Sequence, residues 1–513
     1  MSAYRHNVPD LFRNIVDEHR NRAALIWPDC PPVTFGDLDR LGNQVAHFLQ
    51  QQGISKGDRI CIRLEKCTLA YCLMIGSLKI GAPYVMIDPS NPADRVAHIL
   101  AKCAPKLVFS GASLPPVGSN YHVVRIDTER PFLTFSGATT DSFEPTADIL
   151  GNDPAYIMFT SGSTGFPKGA VMSHANLLNL VQWARQEFSV TANDVFTNLN
   201  PLYFDNSVFD FYASLMNGAS LAPFDSATMR DPYLVMQRIH DLRCTIYFSV
   251  PSLLIYFQTL KLIAPSVFPN VRVIIFGGEG YPKTKLKELF DCLHPNAECV
   301  NVYGPTECTC ICSAYRVTEA DLADLSGYPP LGGPIPNFSF QILNSQEEAV
   351  APDEVGELYL GGPCVGLGYF NEPELTQIAF RQNPLNQRYY ERVYRTGDLV
   401  RLSSRDGKVY FVGRKDNQIK HQGYRIELDE IEHALRRIRG IDEAAALHRV
   451  RDGISTIVGV VASRDPLTSH AIRNEVAKLL PAYMVPGSIE ILDWLPKNAN
   501  GKIDRVLLQS QYS

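Results

Sequence analysis

The sequence predicts an α/β fold: a large N-terminal domain of layered α/β subdomains plus a β-rich subdomain, followed by a small α+β C-terminal domain. Three observations support this prediction. Helical and strand patterns alternate through the first 150 residues and again through the middle third, as they do in layers around parallel strands. From about Gly332, short strands separated by glycine turns follow one another. After Asp416 the alternation of helix and strand returns in a compact unit.

Hydrophobic spacing predicts the elements of the first two thirds. In "FGDLDRLGNQVAHFLQQQG", apolar residues from Leu38 to Leu49 form one helical stripe, and Gly53 ends the pattern. "DRICIRL" alternates like a strand, "PADRVAHIL" has helical spacing, and "KLVFS" is a short apolar strand. In the middle third, "AYIMFT", "TIYFSV" and "VRVIIFGGEG" predict strands, and a helix is expected after Ser173.

A change in the pattern of predicted secondary structure indicates a domain boundary late in the chain. The stretches "FSFQIL", "GELYLGG" and "KVYFVGRKD" are typical of strands in a β-rich subdomain. The segment beyond them contains "ELDEIEHALRRIRG", "ISTIVGVVAS" and a helical pattern that extends to Leu480. We therefore expect a large domain over residues 1–415 and a small one over 416–513, which at about 100 residues can fold alone.

The composition is that of a globular protein with a mild charge. Of 513 residues 45% are hydrophobic and 20% charged, and the net charge of −6 does not favour nucleic acid or a membrane as a partner. Twelve cysteines, with no signal-peptide pattern at the N-terminus, predict reduced thiols in a cytoplasmic protein. The most apolar stretch, Leu69 to Ile87, contains Lys79 and two glycines, so it predicts helix, turn and strand and not a membrane span.

A glycine-rich loop, "FTSGSTGFPKGA" (Phe159 to Ala170), is the first candidate for chemistry. Free backbone N–H groups, several hydroxyl groups and Lys168 suit a polyphosphate. The order differs from the G-x-x-x-x-G-K-[ST] of a Walker loop, and a flexible Gly/Ser turn is the alternative. The expected place of the loop between a strand and a helix, together with the lysine, favours a phosphate site.

The stretch "YIMFTSGSTGFPKGAVMSH" resembles the phosphate-loop signature of the adenylate-forming superfamily, which contains acyl- and aryl-CoA synthetases, firefly luciferase and the adenylation domains of nonribosomal peptide synthetases. Six further stretches resemble that family's motifs, in the family's order: "LKIGAPYVMID", "NVYGPTE", "GELYLGG", "YRTGDL", "GRKDNQIKHQGYRIELDEIE" and "LPKNANGKIDR". They span nearly the whole chain. Their wording is most similar to the amino-acid-activating branch, which implies a freestanding amino-acid adenylation enzyme.

The resemblance implies a two-step reaction with ATP and Mg²⁺ as cofactors. A carboxylate attacks the α-phosphorus of ATP, which forms an acyl-adenylate and expels pyrophosphate, and a thiol then displaces AMP. This chemistry needs neutralised phosphates, a metal and in-line geometry more than an acid or base. In the family, the mobile C-terminal domain swings between an adenylating and a thioester-forming pose about a hinge that Asp416 matches, and Gly423 lies on the face presented in the second pose.

The resemblance also assigns a nucleotide site. Tyr303 would stack on adenine, Asn301 would hydrogen-bond to it, and Asp398 would bind the ribose hydroxyls. Taken alone, Asp398 could be a turn-forming residue before a strand. The nucleotide-binding residues that the resemblance implies are Thr160, Ser161, Gly162, Ser163, Thr164, Gly165, Gly278, Glu279, Asn301, Tyr303, Gly304, Thr306, Asp398 and Arg414.

Three residues are implied to be catalytic. Lys168 would hold the β- and γ-phosphates, Glu307 would be the oxygen ligand for Mg²⁺, and Lys502 would bridge the substrate carboxylate and the ATP oxygens. Taken alone, Glu307 could be a surface acid in a turn and Lys502 a solvated turn lysine. Their places in the ordered set of motifs favour the functional assignment. Because Lys502 lies on the small domain, that domain must close to deliver it.

The stretch "YFDNSVFDFY" places two acids among five aromatic rings. Asp205 matches the aspartate that pairs with the α-amino group in amino-acid-activating members, and a helix N-cap is the alternative. Asp210, about 140° further around a helix, is expected to face water or another structural partner. The other pocket residues implied by the resemblance are Asn206, Phe209, Phe248, Ile275, Gly277, Val302, Cys310 and Ile311. This largely apolar wall fits a neutral amino acid such as isoleucine or valine, while Asn206 could instead read a polar side chain.

Two further features are expected to be structural. Cys308, Cys310 and Cys312 in "ECTCIC" would alternate along a strand and share one face, which does not suit a tetrahedral metal ion. We therefore expect small packing residues, with Cys310 lining the pocket. His174 is expected to cap or pack the start of a helix.

The expected partners are an amino acid and a separate phosphopantetheinyl carrier protein, since the chain ends eleven residues after Lys502. A small activator protein is left open as a further partner, and the expected pathway is nonribosomal peptide or related natural-product biosynthesis. Three alternatives stay open: a D-alanine carrier-protein ligase, an acyl- or aryl-CoA ligase, and a non-catalytic nucleotide-binding or scaffold module. A preference for D-alanine would favour the first alternative, and activity on acids without an amine would favour the second. Absence of pyrophosphate exchange with every acid would favour the third.

Overall fold

The structure, a computed structural model, describes residues 6–115, 121–127, 129–144, 148–162, 166–265, 267–451, 454–463, 465–498 and 502–512. The helices among these residues are α1 (Val8–His19), α2 (Phe35–Gln51), α3 (Thr68–Lys79), α4 (Ala93–Cys103), α5 (His174–Glu187), α6 (Asn206–Leu215), α7 (Ser226–Met229), α8 (Pro232–Asp241), α9 (Pro251–Thr259), α10 (Lys283–Phe290), α11 (Pro373–Ala379), α12 (Leu428–Arg436), α13 (Ser469–Val476) and α14 (Arg505–Tyr512).

The strands of the N-terminal part precede the β-rich region. They are β1 (Ala23–Leu25), β2 (Val33–Thr34), β3 (Ile60–Arg63), β4 (Tyr84–Met86), β5 (Leu107–Ser110), β6 (His122–Arg125), β7 (Pro154–Thr160), β8 (Lys168–Ser173), β9 (Val195–Asn198), β10 (Ser220–Pro223), β11 (Ile246–Ser249), β12 (Val273–Gly277), β13 (Glu298–Tyr303), β14 (Ser313–Arg316) and β15 (Gly333–Pro334).

The later strands form the β-rich region and the C-terminal unit. They are β16 (Ser339–Leu343), β17 (Val355–Gly361), β18 (Gly368–Tyr369), β19 (Phe380–Gln382), β20 (Arg392–Leu402), β21 (Val409–Arg414), β22 (Gln418–His421), β23 (Tyr424–Glu427), β24 (Glu443–Arg451), β25 (Ile454–Ala462) and β26 (Ser488–Leu492).

Two mixed sheets with parallel centres form the large N-terminal part. One has the order β18-β8-β7-β4-β3-β5-β6, and the other has the order β15-β14-β13-β12-β11-β9-β10-β1-β2. The strands from β7 to β6 in the first and from β13 to β1 in the second run parallel to their neighbours. The predicted alternation of helices and parallel strands is confirmed.

One large apolar core joins the two sheets through their helices. It contains buried residues of α1, α2, α3, α5 and α6 together with residues of both sheets. A hydrogen bond of 2.8 Å between the hydroxyls of Tyr84 on β4 and Tyr212 on α6 satisfies two polar atoms inside this core. The C-terminal half of α6, the helix that follows Asp205, is therefore tied to β4 of the first sheet.

The β-rich region and the apolar stretch also follow the prediction. An antiparallel sheet of the order β16-β17-β20-β19, with β21 paired to β20, follows the second large sheet. The stretch from Leu69 to Ile87 forms most of α3, a turn and β4. Among the residues that the structure covers, no helix combines the length and apolar character needed to cross a membrane.

The C-terminal unit begins with a two-stranded hairpin, β22–β23, and continues with a three-stranded sheet of the order β24-β25-β26. Alternate residues of β24 enter two separate cores, one shared with α12 and α13 and the other with α14. The helix predicted to extend to Leu480, α13, ends at Val476, and a 3-10 turn over Ala482–Met484 follows after Pro481. Residues 415–417 connect β21 to this unit.

A close contact between α2 and α3 allows a test of the large core. A Cβ at Gly76 would lie 2.5 Å from Cγ1 of Val45. We expect Gly76→Ala to lower the free energy of unfolding by about 1–2 kcal/mol in urea titrations, because overpacking outweighs the gain in helix propensity. Val45→Ala should restore part of the loss. Gly137→Ala is the control, since no atom lies within 4 Å of its added Cβ. Wild-type stability of Gly76→Ala would contradict the account.

Candidate active site

The phosphate-loop candidate connects two antiparallel strands. Thr160 at the end of β7 pairs with Lys168 at the start of β8. The prediction that a helix follows the loop directly is wrong, because β8 intervenes and α5 begins only at His174. The N–H groups offered by this loop therefore come from a turn and not from a helix N-terminus. Of the other predicted phosphate contacts, Ser163, Thr164 and Gly165 lie outside the described residues.

A buried ion cluster lies at the base of this loop. Both side-chain oxygens of Glu307 are shielded from solvent. Its Oε1 lies 3.5 Å from Nζ of Lys168 and accepts the hydroxyl of Tyr369 at 2.6 Å, while Oε2 accepts Nη1 of Arg425 at 2.5 Å. Burial acts to raise the pKa of Glu307, but Arg425 and Lys168 lower it well below its ordinary value. The carboxylate is therefore ionised at neutral pH.

A cavity of about 440 Å³ is lined by seven of the predicted nucleotide residues: Gly278, Glu279, Asn301, Tyr303, Gly304, Asp398 and Arg414. Three others, Thr160, Ser161 and Thr306, line a second, smaller cavity. The hydroxyl of Tyr303 donates to Oδ2 of Asp398 at 2.5 Å, and Nη1 of Arg414 lies 2.8 Å from Oδ1 of the same carboxylate. Asn301 donates to the carbonyl oxygen of Pro330 at 2.8 Å, which fixes the orientation of its amide. Burial and the adjacent Asp398 raise the pKa of Tyr303, so its phenol stays protonated.

Arg414 links this cavity to the predicted hinge. Its Nη1 binds Asp398, while Nε and Nη2 bind the two oxygens of Asp416 at 2.9 and 2.5 Å. The bidentate contact with Asp416 is of the stronger class of ion pair. The carboxylate predicted to bind ribose and the predicted hinge residue therefore share one guanidinium group.

Asp205 occupies the N-cap position of α6 without acting as a cap. Its backbone is helical (φ −65°, ψ −24°), and its side chain makes no cap hydrogen bond. Its Oδ2 instead accepts the hydroxyl of Thr306 at 2.6 Å. Burial raises the pKa of Asp205, while Thr306 and the charge of Lys420 oppose the rise. The N-cap alternative does not describe this carboxylate, which faces a cavity.

That cavity, of about 50 Å³, lies between α6, the end of β13 and the β22–β23 hairpin. Five predicted pocket residues line it: Asp205, Asn206, Phe248, Val302 and Cys310. The other four lie in the surrounding core, fully buried: Phe209, Ile275, Gly277 and Ile311. Phe209 packs edge-on against Phe248 at 5.4 Å between ring centroids, so it acts on the cavity through a neighbour.

Asp210 lies inside the protein and away from water. Asn198 and Asn200 donate to its Oδ2 at 2.9 and 3.0 Å. We expected Asp210 to face either water or a structural partner, and the second expectation is confirmed. Burial raises the pKa of Asp210 to about 7, against the effect of the two amides and of Lys66. This acid supports the strand ends beneath the pocket.

The three cysteines of "ECTCIC" do not form a strand, so that prediction is wrong. Cys308 ends a 3-10 turn, and Thr309 and Cys310 follow with φ angles of 58° and 73°. Left-handed backbone at two successive residues cannot extend a strand. All three thiols are buried, and Cys310 lines the small cavity as expected.

His174 begins α5 and accepts the backbone N–H of Val8 on Nδ1 at 3.3 Å. Burial lowers its pKa to about 4, so the ring is neutral at physiological pH. The expectation of a packing role at the start of this helix is confirmed.

Sequence reasoning missed the side chains that the C-terminal hairpin brings to the site. Arg425 binds Glu307, and Lys420 lines both cavities. Ser161 of the loop donates to the carbonyl oxygen of Arg425 at 2.6 Å. Both basic residues stand in the motif "GRKDNQIKHQGYRIELDEIE", so the signal was available there. Lys502 is exposed and is not among the residues that line either cavity.

Comparison with known proteins defines the family. Residues 12–370 match the family model described as AMP-binding enzyme, and residues 430–502 match the model of the AMP-binding enzyme C-terminal domain. This chain belongs to the AMP-binding enzyme family. The resemblance noted from the motifs is confirmed.

Among the curated relatives of this AMP-binding enzyme is the L-proline–[L-prolyl-carrier protein] ligase of Streptomyces coelicolor, 34% identical over 532 residues that cover 98% of this chain and 96% of the relative. Tyrocidine synthase 3 of Brevibacillus parabrevis is 33% identical over 510 residues, 97% of this chain. Surfactin synthase subunit 3 of Bacillus subtilis is 34% identical over 513 residues, 96% of this chain. The chain spans 8% and 39% of the lengths of these two synthases.

Solved structures share the fold of this AMP-binding enzyme. An artificially fused adenylation–PCP di-domain NRPS from Klebsiella oxytoca has a TM-score of 0.84 at 23% identity, covering 95% of this chain and 94% of that one. The o-succinylbenzoate CoA synthetase of Bacillus subtilis, a double mutant, has a TM-score of 0.85 at 20% identity, covering 99% and 98%. Both likenesses confirm the predicted fold class of a large N-terminal domain and a small C-terminal one.

The raised pKa of Asp210 predicts a pH-dependent stability. Because folding raises this pKa from 3.8 to about 7, protonation favours the fold, and that contribution is lost as the pH rises through this window. We expect the stability of Asp210→Asn relative to wild type to increase by about 1–3 kcal/mol between pH 4.5 and 7 in urea unfolding. The control is Asp291→Asn, at an exposed aspartate at the end of α10. A stability difference between Asp210→Asn and wild type that does not change with pH would contradict the assignment.

Proposed function

We propose that this enzyme activates an amino acid with ATP, which gives an aminoacyl-adenylate and pyrophosphate, and then transfers the aminoacyl group to the phosphopantetheine thiol of a separate carrier protein. The observation that carries the proposal is the Asp205 carboxylate, which faces a cavity beside the proposed nucleotide cavity and makes no helix-capping hydrogen bond. The carboxylate accepts a hydrogen bond from a neutral hydroxyl, that of Thr306.

A bound α-ammonium would complete this site. An ion pair at contact distance is worth about 4 kcal/mol at an intermediate effective dielectric, which offsets the cost of keeping Asp205 out of water. A carboxylic acid without the amine would leave the aspartate unpaired, so the same group gives specificity. The hydroxyl of Thr306 would hold the carboxylate in place for this contact.

For the nucleotide, the arrangement supports ATP as the second substrate. Tyr303 would stack on adenine beside Asn301, and Asp398 would bind the ribose hydroxyls. The loop around Ser161 and Lys168 would neutralise the phosphates.

Glu307 fits Mg²⁺ by the chemistry of its donor atoms, since it is ionised and offers hard oxygens. When bound, the metal would supply charge neutralisation on the phosphates. Arg425 and Tyr369 hold the two oxygens in the described pose, so metal binding requires Arg425 to withdraw. That requirement supports a C-terminal unit that changes position during the reaction, with Asp416 as the hinge.

The position of Lys502 supports the same movement. It lies exposed in this pose, whereas the face that contains Gly423 and Arg425 contacts the site. In the adenylating pose Lys502 would bridge the two reacting anions, and in the pose described here the hairpin would serve thiol transfer. The boundary near Asp416, with a large unit over 1–415 and a small one over 416–513, belongs to this proposal.

The substrate we propose is a neutral, branched aliphatic amino acid, because the cavity wall of Phe248, Val302 and Cys310 is apolar. The relatives support a carrier protein as acceptor and natural-product biosynthesis as the pathway: one is a prolyl-carrier protein ligase of similar length, and two are peptide synthases. A small activator protein would be a further partner. All twelve cysteines are free thiols, which fits a cytoplasmic enzyme.

Amino-acid-dependent ATP–pyrophosphate exchange, over a panel with both stereoisomers, tests the proposal. We expect exchange with a small set of neutral amino acids. Asp205→Ala should abolish it while the affinity for ATP is retained, because no nucleotide contact is assigned to Asp205 itself. Asp291→Asn, which changes an exposed aspartate at the C-terminal end of α10, is the control.

Loss of ATP affinity in Asp205→Ala would make the residue structural. Preference for D-alanine would favour the cell-wall type of carrier-protein ligase, and activity on simple carboxylic acids would favour a CoA ligase. No exchange with any acid would favour a nucleotide-binding module without catalysis.

A further inference from the structure

The turn of the β22–β23 hairpin docks on the start of α9. Gln422 and Gly423 form this turn with φ angles of 52° and 83°, as in the two-residue turns that favour left-handed backbone. A Cβ at Gly423 would lie 2.7 Å from Cγ1 of Val250, the residue before α9. Only a glycine backbone can approach this side chain so closely, so the turn has a defined seat on the large domain.

Glu279 joins the two surfaces with its two oxygens. Oε2 accepts the N–H of Ser252 in the first turn of α9 at 3.1 Å, where the N-cap residue Val250 provides no cap. Oε1 accepts the N–H of Gly423 at 2.5 Å. Hydrogen bonds to a carboxylate are about twice as strong as those between neutral groups. One carboxylate thus completes a helix end and holds the turn of the other domain against it.

This use of Glu279 differs from the nucleotide-binding role that the motif resemblance implies. The residue does line the nucleotide cavity. Both of its oxygens, however, are engaged by backbone N–H groups in the described pose. A nucleotide contact would have to displace one of these amides.

We propose that Glu279 is a positioning residue for the transfer step, which docks the β22–β23 turn. The docked hairpin carries Arg425 to Glu307 and Lys420 to the cavity wall beside Asp205. Ser161 of the phosphate loop, which accepts the N–H of Glu427 at 3.2 Å, fastens the next strand of the hairpin. This inference rests on the proposed function, because it requires two half-reactions performed in two poses.

The contact favours one pose only. Gly423 belongs to the C-terminal unit and Glu279 to the large domain, and a movement that brings the exposed Lys502 to the cavities must separate them. An interaction present in only one of two states shifts their populations by its own free energy. Removing this contact should therefore slow the step that needs this pose more than it slows the other step.

The test compares Glu279→Gln with wild type in three measurements. Hydrogen–deuterium exchange of peptides over residues 418–427 reports docking of the turn in the enzyme without substrates. ATP–pyrophosphate exchange reports adenylation with the best amino acid of the panel. Single-turnover release of AMP by free pantetheine reports thiol transfer. The glutamine can accept only one of the two N–H groups, so we expect faster deuterium uptake in the turn and a loss of transfer rate about tenfold larger than the loss of exchange rate.

Glu288→Gln is the matched control, since Glu288 is an exposed glutamate on α10 that pairs with Lys285. Glu279→Asp, which keeps the charge but shortens the reach, should resemble Glu279→Gln. Both variants should keep the wild-type melting temperature within a few degrees.

A raised KM for ATP with unchanged deuterium uptake in the turn would overturn the proposal and make Glu279 a nucleotide ligand. A proportional loss of exchange and transfer would overturn it in favour of a general structural role. If wild type exchanges pyrophosphate with no amino acid, the proposed function fails, while the deuterium uptake of the turn still decides whether Glu279 docks it.

Discussion

The site depends on one buried anion, the Glu307 carboxylate, which holds a cation from each of two parts of the chain. Lys168 comes from the strand after the phosphate loop, and Arg425 comes from the C-terminal hairpin. An unpaired carboxylate at this depth would cost several kcal/mol, so the two cations and the Tyr369 hydroxyl keep it ionised. The position of the C-terminal unit is therefore coupled to the electrostatics of the phosphate site.

This coupling gives a physical reason for a two-pose cycle. ATP brings its own negative charge and, in the proposal, a divalent cation that needs the Glu307 oxygens. Arg425 cannot bind the same oxygens while the divalent cation occupies them. In the proposal, Glu307 needs a second cation once pyrophosphate and the divalent cation have left, and the hairpin supplies Arg425. The guanidinium of Arg414, shared between Asp398 and Asp416, extends the link from the carboxylate proposed to bind ribose to the proposed hinge residue.

The sequence predicted the residues better than it predicted their surroundings. Three residues from separate motifs come together in the structure: Tyr303, Asp398 and Arg414. The motifs predicted this set because they follow one another along the chain in the same order as the strands that carry them. At Cys310 the alternating spacing of the cysteines predicted a strand, which is wrong. The spacing of residues gives no information about a positive backbone φ angle. The partners of Arg425 depend on how two domains meet, which no local pattern encodes.

The two acids of "YFDNSVFDFY" illustrate the same limit at short range. Helical geometry separated Asp205 from Asp210, and the structure gives them different partners: a hydroxyl at a cavity for the first, two buried amides for the second. The amides belong to Asn198 and Asn200, at and just beyond the end of β9. Their approach to α6 follows from the packing of helix on sheet, so the stretch itself could not reveal it.

The central claim is that Asp205 recognises the ammonium group of the substrate. The most direct measurement is kcat/KM for ATP–pyrophosphate exchange with the preferred amino acid and with the acid of the same side chain that has hydrogen in place of the α-amino group. The account predicts a preference of about 10⁴-fold for the amino acid, because the analogue leaves a desolvated carboxylate without a partner. Values within about tenfold of each other would contradict it.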